Sequence, residues 1–256
     1  MRSIRIMGAV VALLALFGAR GQTAQAQTGT AQSFTLQPGG RASVTFEAFC
    51  TNFGQKFPTS IQAPNTVAAH NIRGALAYIQ GNNLAADPTK ALEAQYAIWQ
   101  LSGATGSPAG GDPAKAVVNA ATTVPANPQG TSVVEAAKAG QVSVAINSWQ
   151  AVGTPVQIGS ATDNFYGRGT LTIENTSQQA LTLYMPVGTL FPPATAGEQT
   201  MAAYATNTQV SNPQTQSAPQ QLPRTSGEVN GVWLVLAGAL ALIATGSAMH
   251  MRLRQR

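Results

Sequence analysis

Two apolar segments, one near each end, confine the part of this chain that can fold in water. Arg2 and Arg5 precede an apolar run from Ile6 to Phe17, and Ala24-Gln25-Ala26 follows it. A positive start, a short apolar core and a small-x-small exit form a secretory signal peptide, with cleavage expected after Ala26. The run is too short to span a bilayer. At the other end, residues 231–249 carry no charge, and at ~1.5 Å per residue a helix of that length approaches the ~30 Å hydrocarbon core. Arg252, Arg254 and Arg256 follow directly, and basic residues beside a span stay on the cytoplasmic side. The expected product is held at the cell surface by a C-terminal transmembrane helix, with its head extracellular.

This layout relocates the charge. The full chain is +5. Between Gln27 and Pro223, however, seven Lys/Arg stand against eight Asp/Glu, a net of −1. The basicity belongs to the ends, and the body has no basic face for nucleic acid. The predicted domains are a signal peptide over 1–26, a head over 27–206, a Pro/Gln-rich linker over 207–221, and a C-terminal segment over 222–256 that contains the span. The linker lacks the apolar residues to build a core.

Within the head, Phe34 and Leu36, then Ala42, Val44 and Phe46, alternate about Pro38-Gly39-Gly40 and predict two short strands over 33–50. Residues 52–65 read as loop. Ile72, Ala75, Leu76 and Ile79 form one apolar stripe and predict a helix over 66–79, ended by Gly81-Asn82. Asp87-Pro88 is a cap signal for a second helix that stops near Gly103. Its stripe is Leu92, Gln95, Tyr96 and Trp99, with a glutamine on the buried face. Asp112-Pro113 repeats the signal for a third helix through Ala121, and a short fourth covers 132–139. Strands are then predicted at 142–146, 171–173, 181–184 and 201–205, with residues 175–179 as a hairpin connection. Strands, then helices, then strands argue an α+β fold: an antiparallel β-sheet or sandwich core with an inserted helical segment.

Cys50 is the single cysteine. In an exported chain it has no internal disulfide partner, so it is free, paired with another molecule, or used chemically. His70 is the only histidine of the body, and one His with one Cys falls short of the three or four protein ligands of a zinc site. A Cys50–His70 nucleophile pair would need direct contact and an orienting third group. No phosphate-binding glycine loop or carboxylate pair is discernible. No metal, no cofactor and no turnover enzyme is expected.

Leu222-Pro223-Arg224-Thr225, followed by Ser226 and Gly227, an apolar span and a basic tail, resembles the sortase sorting signal of Gram-positive-type surface proteins. That family's pattern is Leu-Pro-x-Thr-Gly, and here Ser226 holds the fifth position. The resemblance implies a sortase and the cell wall as partners. A permanent single-span anchor is the alternative.

Phe49-Cys50 at a strand end and Ala94-Gln95-Tyr96-Ala97-Ile98-Trp99 on a helix resemble the thioester domain of bacterial surface adhesins. Members of that family carry an aromatic-Cys motif on an N-terminal strand and an apolar-Gln-x-x-apolar-aromatic motif on a helix. The likeness covers roughly residues 34–102. A weaker one, to β-rich segments of short members, covers 169–201. It implies an internal thioester between Cys50 and Gln95 and an amine-bearing protein or surface as covalent partner. Phe49, Phe53, Tyr96 and Trp99 are candidate shields against water, although aromatics at helical spacing also serve simply as core. Against this stands an inert structural envelope protein, in which Cys50 packs as a small hydrophobe and Gln95 is a satisfied buried amide. A hydrolase that uses Cys50 ranks third.

Overall fold

A computed structural model of the chain describes residues 29–158 and 160–213. The predicted signal peptide, the rest of the linker, Leu222 to Ser226 and the apolar span lie outside these residues. Among the described residues, no helix is long and apolar enough to cross a membrane.

The chain opens with β1 (Ser33–Leu36) and β2 (Arg41–Cys50). A two-residue strand, β3 (Thr66–Val67), precedes α1 (His70–Gly81), a 3-10 turn over Leu84–Ala86, α2 (Pro88–Leu101) and α3 (Asp112–Ala120). Next come β4 (Thr131–Ser132), α4 (Val133–Lys138) and β5 (Val142–Ala151). A ribbon of β6 (Val156–Ile158) and β7 (Ala161–Asp163) leads to β8 (Tyr166–Asn175). The last strands are β9 (Leu181–Tyr184), β10 (Thr189–Phe191) and β11 (Met201–Ser211). A six-stranded antiparallel sheet runs β3-β10-β11-β2-β8-β5, and a three-stranded sheet runs β1-β9-β4. The fold is therefore α+β with mostly antiparallel strands, and most of the helical segment lies between β2 and β5.

Several expectations are corrected by pairing. The turn after Leu36 does not close a hairpin: β1 pairs with β9, while β2 pairs with β11 and β8. Residues 175–179 likewise carry the chain from one sheet to the other. Asn175 holds that turn, its side-chain amide donating to the carbonyls of Leu36 (3.0 Å) and Gln179 (2.7 Å). The first helix begins at His70, because Thr66 and Val67 are taken by β10. Gly111, not Asp112, is the N-cap of α3, and Asp112 sits in the first turn. The folded head also extends beyond residue 206. β11 continues past an irregularity at Ala205/Asn207 and pairs Asn207 to Ser211 with Thr45 to Arg41. A polar segment can do this because backbone groups, not apolar side chains, hold a strand in a ladder.

Both sheets contribute to one buried cluster, in which Leu36 and Leu183 join Val44, Phe46, Leu171 and Ile173. Its aromatic part is a column of four near-parallel rings. Phe57 stacks on Trp149 (centroids 5.5 Å), Trp149 on Phe46 (6.1 Å) and Phe46 on Phe191 (4.5 Å). Such pairs contribute about 0.5–1.5 kcal/mol beyond area burial. The rings lie over β8, where Gly167 and Gly169 leave room. A Cβ at Gly169 would stand 2.5 Å from the Phe46 ring, and one at Gly167 2.5 Å from the Trp149 ring. Gly169→Ala is therefore expected to destabilise the head by about 1–3 kcal/mol through overpacking, although alanine suits a strand better than glycine. A lowered thermal midpoint in calorimetry would show it.

Candidate functional site

The site is built where β2 ends against α2. Asp87 starts that helix: its Oδ1 accepts from Thr89 N–H (2.9 Å) and Lys90 N–H (3.1 Å), and Pro88 occupies the first turn. This anchors the rotational phase of the helix. Ala91, Ala94, Gln95, Ala97, Ile98 and Trp99 become its buried residues. The three alanines keep that face slim and let the helix come close to the sheet.

Cys50 is the last residue of β2, and both it and Gln95 are 0% exposed. The Gln95 side chain grips the Cys50 backbone at both ends. Cys50 N–H donates to Gln95 Oε1 at 3.0 Å, and Gln95 Nε2 donates to the Cys50 carbonyl at 2.7 Å. The carboxamide carbon, which bears both atoms, is thus held beside the cysteine. Cys50 N–H is shared with the Phe165 carbonyl at 3.1 Å. The thiol lies 3.7 Å from Met201 Sδ, its partner across β11. Burial, reinforced by the charge of Asp163, pushes the Cys50 thiol well above its ordinary 9.0. As a free thiol it is protonated at neutral pH.

Loop 51–57 covers the site. Thr51 N–H donates to the Thr200 carbonyl at 3.0 Å. The buried Gln199 fastens the rest: its Oε1 accepts from Asn52 N–H (3.1 Å) and Trp99 Nε1–H (3.4 Å), and its Nε2 donates to the Gln55 carbonyl (2.8 Å). Phe53 meets Trp99 edge-on, with ring centroids 5.0 Å apart.

The candidate shields therefore divide. Trp99, one helical turn beyond Gln95, is fully buried and packs against Phe53. Tyr96 is only partly buried, with its ring 6.2 Å from Trp99. Phe49 stacks on Tyr166 (5.6 Å), and strand alternation turns it to the face opposite Cys50. His70 is placed apart from Cys50, its ring nitrogen 3.3 Å from the Thr122 carbonyl. Among the described residues, no group of three His, Cys, Asp or Glu is arranged to hold a metal ion. Gln199 and Asp163 emerge only from folding; no motif marks either, and only proximity to Trp99 and Cys50 singles them out.

A wider cavity of about 430 Å³ lies elsewhere, lined in part by Glu47, Gln80, Arg168 and Tyr204. Glu47 accepts from Arg168 and from the Tyr204 hydroxyl (2.8 Å). Glu47 and Cys50 are three positions apart, so the two point to opposite faces of β2. Burial, with the Glu47 charge second, raises the Tyr204 hydroxyl far above its ordinary 10.0.

No family model, no curated protein and no solved structure matches this chain.

Gln95→Ala removes the side chain that reaches the Cys50 carbonyl and leaves a cavity. The expected loss is about 2–4 kcal/mol in chemical denaturation, the range of buried truncations that strand a polar group. A second expectation concerns pH. Both Cys50, as a free thiol, and Tyr204 ionise more readily unfolded than folded. Stability is then complete below 9.0 and declines as pH rises past 9.0 and 10.0 toward the raised folded-state values. Denaturation midpoints measured from neutral to alkaline pH should fall accordingly.

Proposed function

We propose that this protein is a cell-surface reactive binder in which Cys50 and Gln95 form an internal thioester that captures amines covalently. The observation that supports the reading is the Gln95 carboxamide clasped by Cys50 in a fully buried setting. In the forming step, Cys50 sulfur attacks the Gln95 carboxamide carbon. The oxygen that gains charge is Oε1, the atom that already accepts from Cys50 N–H. A donor aimed at a developing oxyanion is among the largest single contributions to acyl transfer. The leaving nitrogen departs as ammonia after taking up the thiol proton.

The thioester is a better acylating agent than the amide it replaces. A lysine amine on a partner then attacks the former Gln95 carbonyl, releases the Cys50 thiol and leaves an isopeptide bond. The event happens once per molecule, so the protein is a binder rather than a turnover enzyme. Burial supports persistence of the bond, because water is kept out until the partner arrives. Trp99 and Phe53 provide that cover. The sequence of the ends supports surface display. In this reading the signal peptide is removed, a span over 231–249 holds the head outside, and Leu222 to Ser226 serve a sortase or accompany a permanent anchor.

One observation favours the alternative of an inert structural envelope protein. The Gln95 amide is already hydrogen-bonded through both of its atoms, which is what a structural clasp requires.

Intact mass of the denatured protein separates the two. The thioester reading expects a mature chain lighter by one ammonia, addition of methylamine at Gln95, and loss of both effects in Cys50→Ala. A chain of full mass that ignores methylamine would overturn it. Thiol reagents applied to the folded protein do not discriminate, since Cys50 is buried either way.

A further inference from the structure

A cavity of about 210 Å³ has a lining that includes Phe53, Gln55, Lys56, Asp163 and Gln199. Two of these residues, Phe53 and Gln199, also touch Trp99, one turn from Gln95. The cavity thus shares two lining residues with the contacts made by Trp99 next to Gln95. At ~30 Å³ per water molecule it has room for about seven, enough for the end of an extended side chain.

Asp163 closes β7 at the edge of this cavity. Phe57 N–H donates to its Oδ2 at 2.8 Å and Asn164 N–H to its Oδ1 at 2.7 Å. These two bonds fix the carboxylate yet leave acceptor capacity on both oxygens. Among the described residues, no ion pair involves it. Two residues further on, the Phe165 carbonyl accepts from Cys50 N–H, so Asp163 belongs to the segment packed against the cysteine. Its charge is felt at the Cys50 sulfur. The other charged groups nearby are Lys56, which is exposed, and Glu198, whose carboxylate is engaged by Thr59.

We propose that this cavity receives the protonated primary amine of the partner and that Asp163 takes its proton, so that the site selects cationic amines. The inference rests on the thioester reading. An amine attacks only when unprotonated, and a lysine arrives as ammonium near neutral pH. Asp163 binds the ammonium by charge and accepts one proton, which passes to solvent. The freed nitrogen lone pair then forms the bond to the Gln95 carbonyl carbon, and the carbon–sulfur bond breaks. The nitrogen loses its second proton to the departing Cys50 sulfur. One ammonium and one thioester become one amide, one thiol and one released proton. Phe53 and Gln199 must move aside for the approach, and Gly54 between Phe53 and Gln55 supplies a left-handed φ of +87° that a side chain would resist.

The test compares wild type with Asp163→Asn. Intact mass first establishes whether each chain loses ammonia; absence in wild type overturns the thioester reading and this inference with it. With ammonia lost from both, methylamine addition should slow on the order of 10²-fold in Asp163→Asn, the scale of one positioned proton acceptor. Hydroxylamine, already unprotonated at neutral pH, should slow far less. Equal methylamine rates overturn the Asp163 assignment and leave the thioester standing. Where Asp163→Asn misfolds or keeps its ammonia, wild type alone decides. Methylamine should then outpace β-alanine, an amine that carries its own carboxylate, and the gap should narrow with added salt. Equal rates, insensitive to salt, overturn the proposal.

Discussion

The structure turns on one side-chain amide. Gln95 supplies the Cys50 backbone with both an acceptor and a donor, at 3.0 and 2.7 Å, where β8 has not yet begun. A strand that ends in the protein interior faces a difficulty: its last carbonyl has no neighbour and no water, and a buried orphan acceptor costs about 1–3 kcal/mol. The glutamine acts as one extra rung of the ladder, delivered by a helix. It ties α2 to the centre of the six-stranded sheet and holds its carboxamide against the backbone of the chain's single cysteine.

The rest of the site follows from this junction. α2 must approach β2 closely, which its alanines at 91, 94 and 97 allow, and its phase must be right, which Asp87 and Pro88 set. Loop 51–57 then has to lie over the junction. It is held by Gln199, which bonds both Asn52 and Gln55, and by the ring of Phe57, which caps the aromatic column running through Trp149 and Phe46 to Phe191.

Much of the architecture is legible in the sequence. Asp87-Pro88 marks the start of α2 because a carboxylate oxygen and a missing N–H suit a helix N-terminus whatever surrounds it. The alternation through Phe46 marks β2, and the stripe from Ile72 to Ile79 marks α1. Pairing is where local reading fails. Residues 33–50 and 175–179 look like hairpins, yet each carries the chain between sheets, because β1 and β9 pair with each other, as do β2 and β8, across more than a hundred residues. Thr66 and Val67 look like a helix start but are captured by β10. Asn207 to Ser211 look like linker because they are polar, although β2 offers them a complete set of backbone partners.

By itself, the sequence determined the α+β class, the start of the key helix, a lone cysteine on a strand and a glutamine on that helix's buried stripe. These depend on local periodicity and capping, which neighbours in the chain decide. Only the tertiary structure decided that Gln95 reaches Cys50, that Trp99 packs against Phe53 while Phe49 stacks on Tyr166, and that Gln199 and Asp163 join this neighbourhood. Those facts arise from contacts across 45 residues between Cys50 and Gln95 and 100 between Trp99 and Gln199. Such contacts have no signature in local pattern, because what selects them is the shape of the space left when two sheets and a helical layer close on one core.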